Sequence, residues 1–132
     1  MNNKIGSADI VQEKYHKGQS DKRPWGAWTV VEAGKRFTIK MISVKLGQRL
    51  SLQLHEHRSE HWVVIDGNGL VTIGGDKIRV EQGSHIYIPR RTEHRIENIG
   101  VCELRFVEVQ LGDQLDENDI IRLEDDYQRA NK

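Results

Sequence analysis

Apolar and polar residues alternate along most of this chain in short runs, without the three-to-four spacing of amphipathic helices. The clearest run is Leu50-Ser51-Leu52-Gln53-Leu54-His55-Glu56-His57, which puts three leucines on one face and Ser51, Gln53, His55 and His57 on the other. Comparable runs rich in Val, Ile, Thr and aromatic residues predict strands at 27–32, 36–44, 50–57, 61–65, 70–73, 76–80, 85–88, 93–98 and 103–110. Asp66-Gly67-Asn68-Gly69 and Gly74-Gly75-Asp76 read as hairpin turns, where glycine supplies positive φ. A helical period appears only at 118–129, in a short acidic stretch. Many short strands at near-regular spacing predict an all-β sandwich or barrel. Residues 1–22 are polar and lysine-rich and read as a loose N-terminal arm, with a helical turn near 10–15. Residues 23–132 form the single barrel domain.

Composition narrows the function classes. A chain of 132 residues suits one domain and can bury a core without disulfide or metal staples. Its 20 basic and 20 acidic residues cancel, so the basic excess of a nucleic-acid binder is missing. No apolar run approaches the ~18 residues of a membrane span, and the first residues lack the apolar core of a signal peptide. A soluble cytoplasmic protein is expected. The single cysteine, Cys102, excludes an internal disulfide and reads as a small core or half-buried hydrophobe.

The candidate chemistry sits in two spaced groups. Gly47, Gln53, His55, Glu60 and Gly67 follow the first cupin motif, G-x5-H-x-H-x3,4-E-x6-G, with glutamine in place of the first histidine. Gly83, Pro89, His94 and Asn98 follow the second, with Arg91 where the motif has glycine, so that this turn is expected to be built differently. The chain thus resembles the cupins, double-stranded β-helix barrels of jelly-roll type. That resemblance implies convergence of Gln53, His55, Glu60 and His94 on a divalent metal ion (Zn, Mn, Co, Ni or Fe), for which a mixed N/O set is suited. His57 remains open as an alternative to Gln53.

A narrower resemblance rests on longer matches. Arg23-Pro24-Trp25-Gly26, Gly34 through Lys40, Leu50 through Val64, Tyr87-Ile88-Pro89, His94 through Asn98, Glu108 through Gly112 and Asp119-Ile120-Ile121-Arg122 are similar to the isomerase domain of type II phosphomannose isomerases. The resemblance implies interconversion of mannose 6-phosphate and fructose 6-phosphate. In that family the domain usually follows a sugar nucleotidyltransferase, which has no counterpart in these residues, so GDP-mannose synthesis is not expected of them. A separate nucleotidyltransferase is a possible partner, and a homodimer is expected from the pairing habits of small barrels. Isomerisation needs an acid–base group, for which His57 is the first candidate and Glu97 the second. Phosphate recognition needs fixed cations, for which Lys40, Arg58 and Arg95 are the candidates. Trp25 and Trp62 read as packing residues. Another sugar epimerase or isomerase, or a non-catalytic metal- or sugar-binding module, is the alternative on the same barrel.

Overall fold

The computed structural model describes residues 14–129. Eleven strands follow one another: β1 Ser20–Arg23, β2 Gly26–Ala33, β3 Phe37–Val44, β4 Leu52–Leu54, β5 Arg58–Asp66, β6 Gly69–Ile73, β7 Asp76–Val80, β8 His85–Ile88, β9 His94–Asn98, β10 Leu104–Gly112 and β11 Ile121–Glu124. They form two antiparallel sheets, ordered β1-β2-β3-β10-β5-β8 and β11-β4-β9-β6-β7. The all-β expectation holds.

Three sequence expectations differ from the structure. The run 50–57 is not one strand, because β4 ends at Leu54 and the chain bends at Glu56 and His57. The acidic stretch 118–129 is not helical: Ile121–Glu124 pairs with β4. Residues 14–22, read as part of a loose arm, are docked, with Tyr15 buried and Ser20–Arg23 paired along β2. That pairing uses backbone groups while the β1 side chains stay largely exposed, so no alternation marks it in the sequence. Of the turn expected at 10–15, residues 10–13 lie outside the described residues.

The barrel interior changes character along its axis. Val44, Ile42, Lys40 and Thr38 point inward along β3, and on β10 Leu104, Phe106, Glu108 and Gln110 stand opposite them in register. On β5 the inward row runs Val64, Trp62, Glu60, Arg58, with Phe106 facing Val64, Glu108 facing Trp62 and Gln110 facing Glu60. One end is therefore closed by Val44, Leu104, Phe106, Val64, Val71, Val80 and Ile96, all at most 4% exposed. Burial of such side chains contributes roughly 1.5–3 kcal/mol each. The other end is lined by charged and amide groups. Two glycines let strands approach where a side chain would collide. At Gly67, with φ of +93°, a Cβ would sit 2.8 Å from the Glu103 carbonyl oxygen, and at Gly112 it would sit 2.1 Å from that of His57.

Candidate functional site

At the polar end, three groups expected as ligands come together. One ligand atom from each of His55, Glu60 and His94 lies within 4.8 Å of the others, and all three residues are buried. His55 follows the end of β4, Glu60 is in β5 and His94 opens β9. Backbone carbonyls orient both rings. His55 Nδ1 donates to the Asp119 carbonyl at 2.7 Å and His94 Nδ1 donates to the Thr92 carbonyl at 2.8 Å. The lone pairs at Nε2 are left facing inward. His94 Nε2 is buried with no hydrogen-bond partner among the described residues, and His55 Nε2 stands 3.2 Å from a Glu60 oxygen. Burial holds the His55 ring at about 3, neutral at physiological pH, despite the opposing pull of Glu60. Burial alone would raise the Glu60 carboxyl, but His55, Arg58 and His94 together hold it well below the usual carboxylate range. Two neutral imidazole nitrogens and a carboxylate, aimed at one point with an orphaned Nε2 among them, fit a first-row divalent ion. Gln53 pairs with His94 across β4 and β9 and lines the same cavity, its Oε1 accepting from Ser51 Oγ at 3.3 Å.

Arg58 takes a position that strand alternation gave to His57. Its Nε donates to Glu60 at 2.9 Å and its Nη2 to His55 Nε2 at 3.3 Å, so a guanidinium faces two of the three cluster residues. The cause is the bend after β4. The Asp119 carboxylate accepts the backbone N–H groups of Glu56 and His57 at 2.8 and 3.0 Å, which turns the His57 side chain out to solvent. His57 therefore does not line the cavity. Neither does Glu97, which falls on the opposite face of β9 from His94 and opposite Leu70 of β6. Arg95 shares that face. It is buried and held by the Leu50 carbonyl and Glu124, away from the cavity. Lys40 does line it, deep inside, with Nζ 3.9 Å from the Tyr15 ring centre and 4.1 Å from that of Trp28. Burial pulls the Lys40 amine below its ordinary value, against the attraction of Glu108 and Glu117.

Glu108, Glu117 and Tyr15 were not legible as site residues. Glu108 is directly opposite Lys40 in register, bonded to Trp62 Nε1 at 3.1 Å and to Gln110 Nε2 at 2.6 Å. Burial and the neighbouring Glu60 push its carboxyl up to about 8. The available signal was the phase of Phe106, Glu108 and Gln110, which continues the inward row of β10. Trp62 and Trp25 are buried walls, as expected. Arg91, at the motif's glycine position, takes a left-handed backbone with φ of 59°. The Arg91 N–H donates to the His55 carbonyl at 2.8 Å. Cys102 is exposed, against the reading of a core or half-buried hydrophobe.

A family model described as mannose-6-phosphate isomerase C-terminal matches residues 10–125. The chain belongs to this family. Among its relatives are the xanthan biosynthesis protein XanB of Xanthomonas campestris pv. campestris (strain B100), 46% identical over 126 residues, and the alginate biosynthesis protein AlgA of Pseudomonas aeruginosa, 47% identical over 108 residues. The match covers 96% of this chain and 27% of XanB, and 82% of this chain and 22% of AlgA. The mannose-1-phosphate guanylyltransferase ManC of Salmonella typhimurium is 42% identical, over 90% of this chain and 25% of its own length. The chain therefore spans about a quarter of the length of these curated relatives. Solved structures share the fold of this chain. The cupin domain of Schizosaccharomyces pombe Cnp3 gives a TM-score of 0.64 at 17% identity, covering 66% of this chain and 64% of that one. A double-stranded β-helix protein from Klebsiella pneumoniae gives 0.65 at 17% identity, covering 90% and 97%. Among the described residues, no helix is long and apolar enough to cross a membrane.

Proposed function

We propose that this chain is a metal-dependent isomerase interconverting mannose 6-phosphate and fructose 6-phosphate. The observation that carries the reading is the sharing of one cavity by His55 and Glu60 of the ligand cluster, an amine, Lys40, and a carboxyl group, Glu108. His55, Glu60 and His94, with Gln53 beside them, would hold a divalent ion. Such an ion supplies electrophilic polarisation of the sugar's carbonyl and hydroxyl oxygens. The proton transfer belongs to the chain's own groups. In its ionised form, which grows as pH rises toward about 8, Glu108 takes the proton from C2 of the open-chain aldose. The C–H electron pair moves into the C1–C2 π bond of the enediol and the carbonyl π pair moves to O1, which takes up a proton. The acid so formed exchanges its proton with solvent and protonates C1 as O2 gives up its proton and the C2=O bond forms. The ketose thus carries one proton gained at O1 and one lost from O2, with no net gain or loss of atoms. Trp62 and Gln110 fix the carboxylate against rotation. The Lys40 ammonium offers a positive charge beside the developing oxyanion. This gives Glu108 the role first expected of His57 or Glu97, which lie off the cavity. Relatives named for xanthan and alginate biosynthesis support a setting in polysaccharide precursor supply.

The experiment is a kinetic comparison on metal-reconstituted protein across hexose 6-phosphates. Glu108→Gln is expected to keep its metal and lose about 10²–10⁴ in kcat, the range for a positioned acid–base group. Glu60→Ala is expected to lose metal and turnover together. A Glu108→Gln variant as fast as the unaltered chain would remove Glu108 from the reaction.

A further inference from the structure

Glu117 lies in the segment between β10 and β11, and its carboxylate is held by three donors from separate parts of the chain. It accepts from the Tyr15 hydroxyl, from Arg23 Nη2 at 2.6 Å and from Lys40 Nζ at 3.3 Å. The donors are the fixed partners. Lys40 has only 4% of its side chain exposed and is clamped between the rings of Tyr15 and Trp28, which meet edge to face at 5.6 Å. Glu117 has 40% of its side chain exposed, at the solvent side of the cluster. The cavity below has about 60 Å³ of free space, room for a few water molecules. Any phosphorylated ligand reaching the floor of that cavity must share or take the space of Glu117.

Glu117 is not the only counter-charge in this set, since Arg23 Nη2 also meets the Asp21 carboxylate at 3.3 Å. Arg122 and Arg129 line the same cavity as Arg23 and Lys40. Arg129 is engaged by Asp125 at 2.7 Å. Arg122 Nε is buried with no hydrogen-bond partner among the described residues. A carboxylate brings a single negative charge and two oxygens to this set. A phosphate monoester brings about −1.5 to −2 and three terminal oxygens, which matches three convergent donors with further guanidinium groups nearby.

We propose that Arg23, Lys40 and the Tyr15 hydroxyl form the oxyanion site for the phosphate of a phosphorylated ligand, with Glu117 as a built-in occupant that the phosphate displaces. The proposal rests on the isomerase reading only for the sugar that carries the phosphate. Binding of inorganic phosphate is therefore measured first, by calorimetric titration of the full chain. Glu117→Gln keeps the shape and removes the competing charge, and should bind phosphate at least ~10-fold more tightly than the unaltered protein. Glu117→Asp withdraws the carboxylate by one methylene and should also tighten binding, should the Gln variant not fold. Arg23→Gln should weaken phosphate and mannose 6-phosphate alike, by ~10-fold or more. Unphosphorylated mannose should bind no better to Glu117→Gln than to the parent. Unchanged phosphate affinity in a folded Glu117 variant would overturn the proposal, as would unchanged affinity in Arg23→Gln or an equal gain for mannose. None of these readouts depends on turnover. The oxyanion site therefore survives a failure of the isomerase assay, and the isomerase reading survives a failure here.

Discussion

His55 and His94 each commit the Nδ1 proton to a backbone carbonyl, so both present a lone pair to Glu60. Arg58 answers part of that electron density by donating to His55 and Glu60. A metal ion bound there competes with the guanidinium. Arg58→Met should therefore destabilise the metal-free protein by about 3–5 kcal/mol, the effect of removing one partner of a buried ion pair. The same change should raise zinc affinity. Melting temperatures with and without zinc read both effects, and a zinc-induced gain no larger than the parent's would contradict the competition. Glu117 gives a pH prediction. Burial raises its carboxyl, but Lys40, Tyr15, Arg23 and Arg58 outweigh burial and leave it below the ordinary 4.5. A carboxyl depressed in the folded state stabilises fully above its unfolded pKa, and loses that contribution as pH falls through the folded value. The stability advantage over Glu117→Gln should hold from neutral pH down to about 4.5 and vanish in more acidic buffer. Its size is reduced by the solvent exposure of Glu117. Denaturant unfolding of both proteins across pH measures it, and an advantage that grows on acidification would reverse the sign. His55, Glu60 and His94 were legible because their spacing is a motif. Glu108 was not, because Glu-Val-Gln on β10 reads as an exposed polar pair around a buried valine, whereas the glutamate and glutamine are the inward residues.

At the scale of elements, the register of β3, β10 and β5 aligns Lys40, Glu108 and Trp62 in one row across the polar end. Individual strands were legible from alternation, but register and strand order were not, because they depend on partners distant in sequence. The bend after β4 shows the limit. Two backbone bonds to Asp119 exchange His57 for Arg58 at the cluster, and Asp119 lies in a segment read from sequence as helical. The Arg91 turn is tied to the same place through its N–H bond to the His55 carbonyl. A left-handed non-glycine residue costs roughly 1–2 kcal/mol. The extra chain entropy of glycine, roughly 0.5–1 kcal/mol, and the exposed ion pair with Glu56 offset that relief. Arg91→Gly should accordingly stay within about 1 kcal/mol of the parent. Arg91→Val should lose at least ~1–2 kcal/mol, since a β-branched side chain is least tolerated at positive φ. Equal denaturation midpoints for the two variants would contradict a left-handed position there.

The whole molecule divides along the barrel axis into an apolar half that holds the two sheets together and a polar half that carries the chemistry. Fold class and family were legible in the sequence, since two motifs and a nearly continuous match span the barrel. The depth of the cavity and its cation-lined mouth were not, because Tyr15, Arg23, Lys40 and Glu117 meet only after three separate segments close over one another. Isomerisation is tested most directly by NMR of mannose 6-phosphate in D₂O with the zinc-loaded protein. Fructose 6-phosphate should appear with deuterium at C1, and deuterium should return to C2 of the remaining mannose 6-phosphate. Both signals should fall sharply in Glu108→Gln with zinc retained. Stoichiometric zinc with neither fructose 6-phosphate nor deuterium incorporation would contradict the assignment of this chain as a mannose-6-phosphate isomerase.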